Sequence, residues 1–260
     1  MTKRTRNIGA VLLLPCLVLL AGCGGGSVRQ EADKNVQNMD PESKVRLARS
    51  YYNGGKTGEA MRVLEEGLKE FPDNVPIRNY YGQLSFMTGN LERAEEALLE
   101  VLRLNPFMTD AHNTLGAVYQ EMGRYNDAEK EYLQTLEDRS YSTPEKVYLN
   151  LGLLYKAQDR MDEAISMLRR AVETDPEYLQ AHYELAGALE QVGKYREAAR
   201  EYGVAEPAYR KSGEFHYRFG VVHMKLGNNL QASEHFRKVI DVAPGSENSA
   251  KADELLELIN

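Results

Sequence analysis

The sequence contains five histidines and two cysteines, which are residue types that bind zinc or act as nucleophiles. The histidines are His112, His182, His216, His223 and His235. The first three occupy equivalent positions in a repeating pattern, so stacked repeats would hold them about a helix-pair width apart, whereas zinc ligands lie about 2 Å from one ion. His216 and His223 share a helix face, but no cysteine or close histidine completes a ligand set. We therefore expect structural or surface histidines and no metal site.

Motifs that would indicate catalysis do not occur in the sequence. It has no GxSxG, no phosphate-binding glycine loop and no HExxH. The run NGGK at Asn53 to Lys56 lies between two periodic apolar segments, which is typical of a turn between helices. Paired acids such as Glu65 and Glu66 lie among lysines and arginines, as on a solvated helix face. We expect no enzyme, no cofactor and no small-molecule substrate.

The chain begins like an exported protein. Basic residues at Lys3, Arg4 and Arg6 precede an apolar run over residues 8–20. As a helix this run would span about 20 Å, which is short of the ~30 Å hydrocarbon core of a membrane and typical of a secretory signal. The sequence LAGC that ends at Cys23 resembles the bacterial lipobox. This resemblance implies that residues 1–22 are a removed lipoprotein signal peptide and that the Cys23 thiol is lipidated; the alternative is an ordinary signal peptide in which Cys23 is incidental.

The residues after Cys23 fit a lipid-anchored protein. Residues 23–40 are rich in glycine and polar side chains, as in a flexible tether. Gly24 in place of aspartate resembles lipoproteins of the outer membrane, which would leave the following domain in the periplasm. Loss of the three basic signal residues would take the net charge from −7 to −10, which argues against nucleic acid as a partner. With Cys16 removed and Cys23 lipidated, neither a disulfide nor cysteine-based catalysis would be available.

A small residue recurs along the chain at a nearly constant interval of about 34 residues, which is within the range of known structural repeats. The small residues are Ala48, Gly82, Gly116, Gly152, Ala186 and Gly220, and only the third step is longer, by two positions. Twelve positions after each copy stands an alanine, namely Ala60, Ala94, Ala128, Ala164, Ala198 and Ala232. These matches indicate an internal repeat of about six units.

Each unit has the pattern of two antiparallel helices. Apolar residues recur at helical spacing on both sides of a short turn that contains Gly, Asn or Asp. In four units a proline stands at the position where it would end the second helix, as Pro72, Pro106, Pro176 and Pro244. Together with Tyr51, Tyr119 and Tyr155 three positions after the small residue, this pattern resembles the tetratricopeptide repeat (TPR). The resemblance implies an all-α fold, a right-handed superhelical TPR solenoid of about six helix-turn-helix repeats.

The repeats can be assigned limits from the period. They are placed at 41–74, 75–108, 109–142, 145–178, 179–212 and 213–246, so that together they span 41–246. Residues 247–260 would form a C-terminal capping helix, with Ala250, Leu255, Leu256 and Ile259 on its apolar stripe. The longer step of the period falls before Thr143 and Pro144, which look like the start of a helix.

The resemblance also implies a partner-binding groove lined by the first helix of each unit. In the family, groove residues stand three before, one after and four after the small position. The predicted partner-binding residues are Arg49, Tyr52, Asn79, Gln83, Phe86, Asn113, Gln120, Leu149, Leu153, Lys156, Tyr183 and Tyr217. Aromatic and aliphatic members would hold the apolar side chains of a peptide, and the amides would bind its backbone. The alternative is that the aromatics pack within the solenoid and the amides face water.

A lipid-anchored array of six TPRs is similar to the type IV pilus biogenesis pilotins, the PilF, PilW and Tgl-type lipoproteins. The lipobox, the repeat number and the longer central connection are the features shared. The resemblance implies an outer-membrane lipoprotein that binds secretin subunits and promotes their localisation or multimerisation. A general periplasmic TPR scaffold for envelope or polysaccharide export machinery is an alternative. A third is an accessory of a carbohydrate-modifying enzyme, whose catalytic domain we would expect in a separate chain.

Overall fold

The computed structural model describes residues 39–259, and these residues form thirteen α-helices and no strands. The helices are α1 Pro41–Asn53, α2 Thr57–Glu70, α3 Val75–Met87, α4 Leu91–Leu104, α5 Thr109–Glu121, α6 Tyr125–Glu137, α7 Pro144–Ala157, α8 Met161–Thr174, α9 Leu179–Gln191, α10 Tyr195–Tyr209, α11 Gly213–Lys225, α12 Asn229–Val242 and α13 Glu247–Ile259. The predicted signal peptide, Cys23 and nearly all of the tether lie outside the described residues. Within 39–259, no helix has both the length and the apolar character needed to cross a membrane.

The helices pack in a regular order along the chain. Each odd-numbered helix from α1 to α11 pairs with the helix that follows it, and the second helix of each pair packs against the first helix of the next. First helices of neighbouring units also contact one another from α1 to α9. The last helix, α13, packs against both α11 and α12. The predicted TPR solenoid with a C-terminal capping helix is therefore confirmed.

The turn inside each unit contains one residue in the left-handed backbone region. That residue is glycine in five units, as at Gly123 with φ 73°, and Asp159 with φ 60° in the fourth unit. Glycine enters this region without a steric cost, and aspartate is among the few other residues that tolerate it. The fourth unit can therefore make the same turn without a glycine.

The recurring small residue is explained by a large side chain sixteen positions later. A Cβ atom at Gly152 would lie 2.5 Å from Leu168 Cγ, and one at Gly220 would lie 2.6 Å from the Phe236 ring. The alanine twelve positions after the small residue is fully buried in every unit. The small residue and the alanine thus let the two helices of a unit approach closely around one large side chain.

The capping helix covers the apolar face of the last unit. Ala252 is fully buried, and Leu255, Leu256 and Ile259 pack against the cluster that contains Phe236. Ala250 is exposed, so its predicted place on the apolar stripe was wrong. The stripe begins at Ala252 because positions i, i+3, i+4 and i+7 share one helix face.

Candidate protein-binding groove

A cavity of about 490 Å³ opens between the first helices of the second, third and fourth units. Helices α3, α5 and α7 form its walls, and Tyr132 of α6 contributes to its lining. We call this cavity the central groove. Five of the predicted groove residues line it, namely Gln83, Phe86, Asn113, Gln120 and Leu153.

The central groove contains an amide with unused hydrogen-bonding capacity. Asn113 Nδ2 donates a long hydrogen bond of 3.4 Å to the Tyr141 hydroxyl. Asn113 Oδ1 is buried and has no hydrogen-bond partner among the described residues. A buried acceptor without a donor costs roughly 1–3 kcal/mol. Because the Asn113 residue is only half-buried, rotation of its side chain toward an N–H group brought by a partner would be favourable.

A second amide in the groove is held in place by a tyrosine. The Tyr132 hydroxyl donates to Gln120 Oε1 at 3.2 Å. Burial raises the pKa of Tyr132, so its hydroxyl stays protonated and serves as a donor at neutral pH. With one oxygen lone pair engaged by Tyr132, the Gln120 amide is oriented and its NH₂ group can serve a ligand.

Apolar side chains lie next to these amides. Phe86 and Ala117 are half-buried and pack against the core cluster that extends from the second to the fourth unit. Met87, which the sequence reasoning missed, also lines the groove and is 53% exposed. A large exposed apolar residue directly after a predicted groove residue is the signal that could have identified it. The central groove therefore combines an apolar wall with hydrogen-bonding amides, which suits a polypeptide.

Four predicted groove residues of the first, second and fourth units lie elsewhere. Asn79 and Leu149 are buried, with exposures of 7% and 3%. The Arg49 guanidinium lies 5.1 Å from the centre of the Tyr80 ring, and Tyr52 packs against the core of the first unit. Asn79, Leu149 and Tyr52 thus contribute to packing, whereas Arg49 is exposed beside the Tyr80 ring.

Lys156 bridges the fourth and fifth units. Its Nζ donates to Glu184 Oε2 at 2.8 Å, which ties α7 to α9. The prediction placed Lys156 toward a partner, and the structure gives its ammonium group a partner within the solenoid.

In the fifth unit, the side chain of Arg218 occupies the space beside Gly187. The Arg218 guanidinium of α11 lies where a side chain at Gly187 would be, 2.7 Å from an ideal Cβ position. Arg218 donates to Glu190 Oε2 at 3.0 and 2.8 Å and to the Tyr183 hydroxyl at 3.4 Å. The Tyr183 ring stacks on Tyr209 with centroids 4.4 Å apart. Tyr183 therefore packs within the solenoid.

The capping helix packs against both helices of the sixth unit. Tyr217 lies in the same cluster as Leu255, Leu256 and Ile259 of α13. Its ring centroid is 6.2 Å from that of Phe236. Helix α13 contacts α12 and α11 as the first helix of a further unit would. Tyr217 therefore lies next to the cap, whereas the central groove lies over the second to fourth units.

Two of the histidines form hydrogen-bonding contacts with a glutamate of their own unit. His112 Nδ1 lies 2.6 Å from Glu131 Oε2, and its Nε2 lies 3.0 Å from the Pro106 carbonyl oxygen. His182 makes the same pair of contacts with Glu201 and Pro176. The hydrogen bond to Glu131 raises the pKa of His112. These contacts fasten the start of a first helix to the second helix and to the preceding loop, as expected for structural histidines.

The last unit replaces that glutamate with a histidine. His216 Nδ1 lies 3.1 Å from His235 Nδ1, and both side chains are buried. The expectation that no other histidine lies close to His216 was therefore wrong. The missed signal is the separation of 19 residues, which relates His216 to His235 as it relates His112 to Glu131. Burial lowers the pKa of His235 to about 4, so its imidazole is neutral at neutral pH.

Comparison with known proteins gives relatives of low identity and a shared fold. The human protein O-mannosyl-transferase TMTC3 is 26% identical over 191 residues, which is 68% of this chain and 21% of that protein. The chain thus spans about a fifth of the length of this curated relative. The crystal structure of PilW, a widely conserved type IV pilus biogenesis factor, superposes with a TM-score of 0.74 at 21% identity, covering 82% of this chain and 98% of PilW. PilF of Pseudomonas aeruginosa superposes with a TM-score of 0.75 at 16% identity, covering 86% of this chain and 99% of PilF.

Four models of the tetratricopeptide repeat match consecutive parts of the sequence. The matched residues are 45–109, 107–177, 155–217 and 213–246, which leave no gap between 45 and 246. Together the matches cover the region of the helix pairs from α1–α2 to α11–α12. The chain therefore belongs to the tetratricopeptide repeat family.

Proposed function

We propose that this protein is an interaction scaffold that binds a polypeptide in the central groove, rather than an enzyme. The observation that supports this most strongly is the unpaired Asn113 carbonyl beside the apolar wall of Phe86 and Leu153. An extended segment would donate a backbone N–H group to Asn113 and place apolar side chains against that wall. The other amides, Gln83 and Gln120, would bind further backbone groups.

We further propose that the protein acts as a type IV pilus pilotin in the outer membrane. The lipobox at Cys23 supports a lipid anchor, and the residues up to Asp40 would serve as a tether. The fold supports the same proposal, since PilW and PilF are matched over 98% and 99% of their chains. The partner would be a secretin subunit, whose localisation or multimerisation the protein promotes.

The proposed mechanism uses binding alone. Two or more acyl chains on Cys23 would give stable membrane attachment, whereas a single chain is marginal. The tether would let the solenoid reach a subunit near the membrane, and the central groove would select that subunit. The partner would be held at the membrane surface at a high local concentration, which favours its assembly.

Site-specific photo-crosslinking in cells tests the proposed partner. A photoreactive amino acid at Ala117, which lines the central groove, should capture a secretin subunit. The matched control places the same group at Val204, which is 42% exposed on α10 away from the groove. Crosslinking at both positions to the same extent, or at neither, would contradict binding in the groove. Capture at Ala117 of an export or carbohydrate-modifying protein in place of a secretin would favour the general periplasmic scaffold or the enzyme accessory.

A further inference from the structure

We propose that Glu206, His216 and His235 form a binding site for a divalent transition metal, with zinc the ion best suited to these ligands. Glu206 comes from α10, His216 from α11 and His235 from α12. One potential ligand atom from each residue lies within 4.8 Å of the others. Two imidazoles and one carboxylate are a ligand set that zinc accepts, and a fourth position would be left for water.

The separation of the two imidazole nitrogens matches metal coordination. Zinc–nitrogen bonds of about 2.0–2.1 Å at a tetrahedral angle place two ligand nitrogens about 3.3 Å apart. His216 Nδ1 and His235 Nδ1 lie 3.1 Å apart. An ion can therefore be inserted between them with a shift of a few tenths of an ångström in either ring.

The hydrogen bonding of His216 prepares its Nδ1 atom as a ligand. His216 Nε2 donates to the Arg210 carbonyl oxygen at 3.0 Å, which leaves the lone pair on Nδ1 in the neutral ring. Metal-binding histidines commonly donate their other N–H group to a carbonyl or carboxylate in this way. Without an ion, the hydrogen between the two Nδ1 atoms belongs to His235. Metal binding would move that hydrogen to Nε2 of His235, so that both rings stay neutral and both Nδ1 atoms coordinate.

Glu206 supplies the negative charge and an opening to solvent. The two histidines are buried at 1% and 6% exposure. The Glu206 side chain is 34% exposed, and Lys238 Nζ donates to its Oε1 at 2.8 Å. Rotation of this partly exposed side chain would bring a carboxylate oxygen to the ion, while Lys238 could hold the other oxygen. An ion can enter from this exposed side.

Glu206 and His235 both differ in residue type from the residues at the equivalent positions of other units. The position of Glu206 is apolar in every other unit, where it is Leu68, Leu102, Leu136, Val172 and Ile240. The position of His235 is glutamate in the two other units that have a histidine partner for it, at Glu131 and Glu201. The last unit thus has the pair His216–His235 where two other units have a His–Glu pair. The preceding unit places the Glu206 carboxylate near these two histidines. A packing role alone would not require both exchanges.

Zinc titration of the full chain tests this site. The protein would be purified in detergent without a histidine tag, freed of metal with a chelator and titrated with Zn²⁺ by calorimetry. We expect one Zn²⁺ per chain and a rise in the unfolding temperature when Zn²⁺ is present. Glu206→Gln should weaken Zn²⁺ binding at least tenfold, because it removes the charged ligand and leaves both buried histidines in place.

Two further variants make the result decisive. Glu234→Gln removes the same charge from an exposed position on α12 and should leave the affinity unchanged. His235→Gln should abolish both Zn²⁺ binding and the visible absorption of Co²⁺ in a tetrahedral site, with circular dichroism used to establish that the variant is folded. Absence of Zn²⁺ binding to the unaltered chain would overturn the proposal. Equal affinities for Glu206→Gln and Glu234→Gln would overturn it as well, since Glu206 would then contribute no more to binding than an exposed glutamate outside the site.

Discussion

Substitution of Asn113 should weaken partner binding without lowering the stability of the fold. Its Oδ1 atom is buried without a partner among the described residues, and its Nδ2 makes only a long contact of 3.4 Å with Tyr141. Replacing Asn113 with leucine keeps the volume and removes an unsatisfied acceptor. We expect the free energy of unfolding to stay the same or rise by up to about 1 kcal/mol, while the affinity for the partner falls at least fivefold.

Chemical denaturation and a partner-binding titration measure these two effects. Asn126→Leu is the control, because Asn126 is exposed on the second helix of the same unit. It should change neither quantity beyond about 0.5 kcal/mol. If Asn113→Leu bound the partner as tightly as the unaltered protein, the groove amide would have no part in recognition.

His112 should make the third unit more stable in mild acid than in alkali. The hydrogen bond to Glu131, supported by the charge of Glu137, raises the pKa of His112 above its unfolded value of about 6.5. The folded state therefore holds this proton more tightly, so the contribution is complete below about pH 6 and is lost as the pH rises through the folded pKa. His112→Gln should lower the free energy of unfolding by about 2 kcal/mol at pH 5.5 and by clearly less at pH 9. Urea denaturation at both pH values checks this, and an equal loss at the two would mean that the pair is not charged.

Contacts such as that between His112 and Glu131 could not be predicted from the sequence. The repeat pattern identifies three histidines at equivalent positions, but their partners stand 19 residues later on another helix. Nothing local in the sequence relates these two positions, because the relation arises only when the two helices of a unit pack. The same limit explains why the closeness of His216 and His235 was missed.

Local patterns were sufficient to predict the helices themselves. The repeat period of about 34 residues, the apolar spacing and the turn glycines each act within one unit, so they identify the helix pairs without knowledge of distant contacts. The accessible part of the groove could not be predicted in this way. Tyr217 is partly buried in a cluster with residues of α13, and the Tyr183 hydroxyl accepts a hydrogen bond from Arg218 of the next unit. The environments of Tyr217 and Tyr183 both depend on helices of a neighbouring unit or of the cap, which local sequence patterns do not reveal.

The close approach of paired helices predicts contrasting effects of two glycine-to-alanine substitutions. A Cβ at Gly152 would lie 2.5 Å from Leu168 Cγ, whereas nothing lies within 4 Å of a Cβ at Gly203 in α10. Alanine favours a helix over glycine by about 1 kcal/mol. Gly203→Ala should therefore raise the free energy of unfolding by about 0.5–1 kcal/mol, and Gly152→Ala should lower it by about 1–3 kcal/mol through overpacking. Thermal and denaturant unfolding measure both, and stabilisation by Gly152→Ala would show that the helices have room to separate.

At the scale of the whole molecule, the proposed anchor and the groove have separable roles. Cys23→Ser should abolish incorporation of labelled palmitate and release the protein from outer-membrane fractions. The thirteen helices lie within residues 41–259, and the central groove is lined by residues of these helices. The helix content and the partner affinity of Cys23→Ser should therefore not change. Unchanged membrane fractionation of the Cys23→Ser protein would contradict a lipid anchor at this position.

The state of the secretin in cells tests the proposed pilotin function most directly. Membranes from cells that lack this protein would be analysed by electrophoresis without heating, beside cells that produce the unaltered chain, Asn113→Leu or Asn126→Leu. We predict that the high-mass secretin multimer is lost and monomer accumulates in the absence of the protein. The unaltered chain and Asn126→Leu should restore the multimer, and Asn113→Leu should restore it poorly. A secretin multimer that persists without the protein would contradict the pilotin function.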